Sequence, residues 1–123
     1  MSISNHISLS EAKERIKGRV GKSVNFRYPD GRKRTGLLKD RVLVTNEGAH
    51  GDKVYIDVID LIDFDDEEEN IRFGYYIYED GNYKWGSQTT LTEPKSLMLR
   101  LFRKAYTQTL WFKELIEEIC ESG

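Results

Sequence analysis

The chain has 123 residues, 38% of them hydrophobic and 33% charged, with 14 aromatics among them and a formal net charge of −2. That length buries one core and not two, and the aromatic content argues against disorder. No apolar run approaches the roughly 18–20 residues that a membrane-spanning helix needs, so no membrane partner is expected.

The small net charge hides a steep gradient. Residues 1–41 carry +7, residues 42–80 carry −10 and residues 81–123 carry +1. Such asymmetry points to a charged partner or to internal pairing of the two halves. Cys120 is the only cysteine and cannot form an internal disulfide; with no charged-then-apolar leader in Met1 to Leu9, a reducing cytoplasmic setting is expected. No repeat and no Pro-, Gly- or Ser-rich linker divides the chain. A single domain over 1–123 is therefore expected: an N-terminal helix in 1–21, an antiparallel sheet or barrel in 22–92 and two helices in 93–123.

Ser8-Leu9-Ser10-Glu11 has the form of a capping box, with the Ser8 hydroxyl and the Glu11 carboxylate each meeting an orphan backbone N–H. The helix it opens places Leu9, Ala12 and Ile16 on one side and Lys13, Glu14 and Lys17 on another, and Gly18 or Gly21 ends it. Val24, Phe26 and Tyr28 alternate with polar residues, the period of a half-buried strand. Pro29-Asp30-Gly31 turns the chain. It returns through Arg32–Leu38 to Val44, with Gly36 marking a bend. Asn46–Asp52 reads as a loop. Val54–Phe64 is strand-like, but its alternation changes phase near Ile59, which predicts a bulge or a short kink there. Residues 65–70 form an acidic turn, Ile71–Tyr78 alternates again, and Asp80-Gly81 signals a tight hairpin leading into a strand from Tyr83 towards Leu91. Pro94 opens a helix carrying Leu97, Leu101, Phe102 and Ala105. After Thr107-Gln108-Thr109 a second helix carries Trp111, Phe112, Leu115, Ile116 and Ile119. Phe26, Ile56, Val58, Phe73, Tyr75, Leu101 and Phe102 are the expected core. These elements predict an α+β domain: a five-stranded, strongly curled antiparallel sheet with one helix before it and two after.

Residues 21–44, from Gly21-Lys22-Ser23-Val24 through Gly36-Leu37-Leu38 to Val44, resemble the opening of an SH3-like small barrel of the Sm-like kind. There a short helix precedes a strand, a glycine turn and a bent second strand with Gly-x-Leu. The resemblance implies a small curled barrel. It implies no RNA pocket, because the Asp and Asn lining that pocket have no counterpart after Arg41 and no Arg-Gly motif follows on the fourth strand.

No catalytic motif emerges. Asp57, Asp60 and Asp63 recur every third residue, but on an extended strand Asp57 and Asp60 point to opposite faces and do not converge on a metal. His6 and His50 have no nucleophile or thiol beside them, so neither a zinc site nor a catalytic triad is indicated, and no cofactor is expected. Ser87, Gln88 and Thr89 form a polar run before a helix start, where an anion or a peptide is a conceivable ligand. The stronger candidate is the basic set Arg27, Arg32, Lys33, Arg34, Lys39 and Arg41 around one hairpin, with Tyr28 and Tyr76 as stacking surfaces. Phosphate neutralisation and base stacking need that combination. The expected function is thus a non-enzymatic binding module contacting nucleic acid or an acidic protein surface. The alternative is a protein adaptor or small homo-oligomer pairing through Trp111 and Phe112, or through a sheet edge.

Overall fold

The computed structural model describes residues 6–64, 68–86 and 91–122. In chain order these form α1 (Leu9–Lys17), β1 (Ser23–Arg27), β2 (Lys33–His50), β3 (Lys53–Asp63), β4 (Asn70–Glu79), β5 (Asn82–Trp85), α2 (Lys95–Gln108) and α3 (Leu110–Ser122). The strands pair in sequence order, each antiparallel to the next, and the sheet curls into a half-barrel, as expected.

Local chemistry accounts for the helix ends. Ser8 Oγ accepts from Glu11 N at 3.0 Å and starts α1. Only that half of the expected capping box forms, because the Glu11 carboxylate pairs one turn ahead with Arg15 at 2.8 Å. Thr109 both closes α2 and opens α3: its hydroxyl donates to Ala105 O at 2.8 Å and accepts from Phe112 N at 3.3 Å.

β3 is the central strand and is covered on both faces. On one, Val42, Val44 and Ile59 pack under Leu97, Leu101 and Ala105 of α2 and Phe112 of α3. On the other, Leu43, Ile56 and Val58 pack under Ala12 and Ile16 of α1. Where β1 curls over, Leu38, Ile62 and Phe64 form a third cluster with Val24 and Phe26 beside it. Double coverage explains the unbroken apolar run at Val58-Ile59, which requires no bulge: β3 holds its register with β4 from Val54 to Ile62. The irregularity lies across from it, in β2, between Leu38 and Asp40. Gly36 is needed for close approach rather than for the bend, since a Cβ there would lie 2.8 Å from Ile62 Cγ2 and from the Phe64 ring.

Three further expectations are corrected. Residues 46–52 are no simple loop, because β2 continues to His50 with a second shift in register after Asn46. β5 ends at Trp85, and the continuation drawn towards Leu91 falls partly outside the described residues. Of the expected core, Ile56, Val58, Tyr75 and Leu101 are buried, and Phe26 and Phe102 are half-buried. Phe73, however, is 47% exposed. It shares a face of β4 with the buried Tyr75, but the helices cover it incompletely, and its ring stacks along Phe102 of α2 with centroids 5.7 Å apart. Among the described residues, no helix is long and apolar enough to cross a membrane.

Candidate anion-binding hairpin

β1 and β2 pair so that Asn25 faces Thr35 and Arg27 faces Lys33. The first couple is joined by a hydrogen bond from Thr35 Oγ1 to Asn25 Oδ1 at 2.9 Å. The second sets two exposed cations directly opposite each other, an arrangement that costs stability unless an anion sits between them. At the tip, Asp30 Oδ1 accepts from Arg32 N at 3.0 Å and Oδ2 from Arg32 Nε at 2.7 Å. The Arg32 guanidinium also lies over the Tyr28 ring, 5.0 Å from its centroid. Both members of the Arg32–Asp30 pair are well exposed, so water screens it and Arg32 can exchange partners at small cost.

The remaining cations of the predicted set are engaged elsewhere. Arg34 lies 3.7 Å over the centre of the Phe64 ring, on the inner face. Lys39 reaches Glu69 at 2.5 Å, and that hydrogen bond, followed by the charge of Glu69, raises the Lys39 pKa. The acidic turn therefore does pair with the basic segment at this point.

Arg41 must be removed from the contact set, because only 1% of it is exposed. Its Nε and Nη2 meet Asp60 Oδ1 and Oδ2 at 2.7 and 3.0 Å, and its Nη1 donates to Ile16 O at 2.9 Å and to Tyr76 Oη at 3.1 Å. Burial works against this charge, but the Asp60 carboxylate and Tyr76 more than offset it, and the Arg41 pKa stands above the ordinary arginine value. Arg72 completes the cluster with 3.1 and 2.8 Å bonds to Asp60 Oδ2, and its guanidinium lies 4.6 Å from the Trp85 ring centre and 5.2 Å from that of Phe26. Tyr76 is lost as a stacking platform for the same reason. It is half-buried, bonded to Arg41 and packed edge-on against Tyr83 and Trp85.

Asp57 and Asp60 do point to opposite faces. Asp57, wholly buried, meets Glu93 from the segment before α2, whose Oε1 accepts from Asn46 Nδ2 at 2.8 Å. Burial first and then the Glu93 carboxyl push the Asp57 pKa up to about 9. Asp57 is therefore protonated near neutral pH, although neither of its carboxyl oxygens has a hydrogen-bond partner among the described residues. Among the described residues, no group of three or more His, Cys, Asp or Glu side chains is placed to hold a metal ion. Ser87, Gln88 and Thr89 lie outside the described residues.

The aromatic pair proposed for self-association also turns inward: Phe112 is buried, and Trp111 Nε1 donates to Asp40 Oδ2 at 2.8 Å. What sequence reasoning missed is a second basic cluster, Lys13 and Lys17 of α1 with Lys104 of α2, around one groove. The four-residue spacing of Lys13 and Lys17 was visible as a helix face. Its meeting with Lys104, some 90 positions later, had no signal in the sequence. Comparison of the chain with protein-family models, with curated proteins and with solved structures finds no match.

Proposed function

We propose that this protein is a non-enzymatic binding module whose β1–β2 hairpin contacts the phosphate backbone of a nucleic acid. The observation that carries this reading is the pair of exposed cations, Arg27 facing Lys33, with no acidic partner among the described residues and with Arg32 held beside them by a pair weak enough to exchange. An extended polyanion relieves the cross-strand repulsion along the whole hairpin. With Tyr76 packed inside and Tyr28 already under Arg32, the contact is electrostatic and makes little use of base stacking. An acidic protein surface is the competing occupant. A cytoplasmic location belongs to the same reading, and the free, exposed Cys120 is compatible with it.

Changing Arg27, Arg32 and Lys33 together to Glu should abolish binding to duplex DNA and RNA while leaving the unfolding transition cooperative. Wild-type affinity should fall with salt on a log–log slope of about −2 to −3, the value for some three phosphate contacts. Failure to bind either nucleic acid at about 50 mM salt and micromolar protein would reject the reading, since non-specific binders reach Kd values of roughly 10⁻⁴–10⁻⁶ M even at higher salt.

A second reading, self-association, is favoured by exposed apolar side chains on α2 and α3. Leu99 is 49% exposed and Ile119 59%, and Leu99 shares an apolar hollow of about 550 Å³ with Met98 and Phe102 of α2. Exposed apolar surface of this kind suits a second copy of the chain. Sedimentation equilibrium should then show a dimer that Leu99→Glu with Ile119→Glu converts to monomer. A wild-type monomer at about 100 μM, far above the Kd of a stable dimer, would eliminate it.

A further inference from the structure

Beyond Leu38, which still bonds Gly21 and Lys22, β2 pairs among the described residues with β3 alone, so its other edge is open along 40–46. α1 lies on one face of the sheet at this edge and α2 on the other, leaving between them a groove of about 480 Å³. The β2 edge at Val42 and Leu43 lines it, with Lys13 and Lys17 on the α1 side and Lys104 and Gln108 on the α2 side. Glu14 is the one acid in the lining, and Asp40 stands 3.6 Å from Lys17. The groove is therefore cationic on both walls.

The lysines are held rather than loose. Lys17 Nζ donates to Arg41 O, and Lys104 Nζ donates to Leu43 O at 2.6 Å. These are the outward carbonyls of the open edge. Capped in this way the edge is closed to an added strand, and an extended peptide would have to displace both ammonium groups to pair there. The same two bonds bring the ammonium groups of two helices together beside Lys13. We propose that this groove binds the phosphate group of a small soluble molecule, held between Lys13, Lys17 and Lys104, with the remainder of the ligand lying along the β2 edge at Val42 and Leu43. The groove's volume is that of a small-molecule site, and three converging lysines supply the point charges that phosphate recognition uses. Burial, then the nearby charges of Lys13, Lys17 and Arg100, lower the Lys104 pKa. An anion in the groove reverses the charge part of that penalty, so ligand binding and protonation of Lys104 are linked.

The site is separate from the hairpin, and the two fail independently. Inorganic pyrophosphate is the probe, added at about 5 mM and compared with sodium chloride of equal ionic strength; it should raise Tm by at least about 3 °C. Lys13→Gln should remove that shift without lowering the Tm of the ligand-free protein, because Lys13 lies on the helix surface. The hairpin triple variant should retain it. By NMR, the Lys104 side chain should titrate at higher pH with pyrophosphate present than without. A shift no larger than that from chloride, or one unchanged in Lys13→Gln, overturns the proposal. Co-sedimentation with phosphatidic acid vesicles that Lys13→Gln abolishes would place the phosphate on a lipid and overturn the soluble source.

Discussion

Asp60→Ala should lower the free energy of unfolding by about 3–5 kcal/mol, the range found when one partner of a buried ion pair is removed. The Asp60 side chain is wholly enclosed and accepts four bonds, two from Arg41 and two from Arg72. Without it the Arg41 guanidinium stays 1% exposed, bonded only to Ile16 O and Tyr76 Oη, which carry no formal charge to balance it. That loss is a large share of the 5–15 kcal/mol that holds a typical domain together. Urea unfolding at neutral pH measures it directly. Arg72→Ala should cost less, because Arg72 is 21% exposed and water reaches its side of the cluster. A loss below about 1 kcal/mol for Asp60→Ala, the scale of a surface pair, would show that the cluster is solvated in solution. Replacing Arg41 and Asp60 together with Met and Leu tests the cause. If the single-variant loss comes from a stranded charge, the double variant should recover most of it.

Asp57→Asn should act in the opposite direction and depend on pH. In the unfolded chain Asp57 titrates near 3.8, and folding pushes it up to about 9, through burial first and then Glu93. Between those values the folded protein holds a proton that the unfolded chain has released. Stability contributed by this group is therefore complete below pH 4 and is lost as pH rises towards 9, with a slope of at most about 1.4 kcal/mol per pH unit. Asparagine has a similar shape and carries neither that proton nor the charge its loss leaves behind. The variant should give a flatter stability curve between pH 5 and 8.5 and exceed the wild type at pH 8 by at least about 2 kcal/mol. Parallel curves for the two proteins would mean that Asp57 is ionised in the fold and that the carboxyl pair is open to water.

These two carboxylates show where sequence reasoning reaches its limit. The spacing of Asp57 and Asp60 on an extended strand was enough to send them to opposite faces, because side-chain direction on a strand alternates with a fixed period. Their different fates depend on what each face meets. Asp60 finds two arginines, from β2 and β4, and stays paired; Asp57 finds a second carboxyl from the segment before α2 and takes up a proton.

Elements and order were legible for a related reason. Capping at Ser8, the Pro29-Asp30-Gly31 turn, the Asp80-Gly81 hairpin and the helical spacing in 95–122 are local signals, each decided within a few residues. Local signals do not reveal coverage. Phe73 is in phase with the buried Tyr75 and yet is 47% exposed, since α2 meets its ring through Phe102 and leaves the rest uncovered. Arg41 belongs by sequence to the basic run and by structure to the interior, because the α1 C-terminus and Tyr76 close over it. Arg27 and Lys33 remain outside for the complementary reason, that no described element packs on the outer face of β1. Local patterns were enough for the helices, for the order of the strands and for the +7 charge of the first 41 residues, though not for where β2 and β5 end. Which of those charges face solvent, and that Lys104 comes to stand beside Lys13 and Lys17, depends on contacts between segments too distant in the chain to leave a pattern in either.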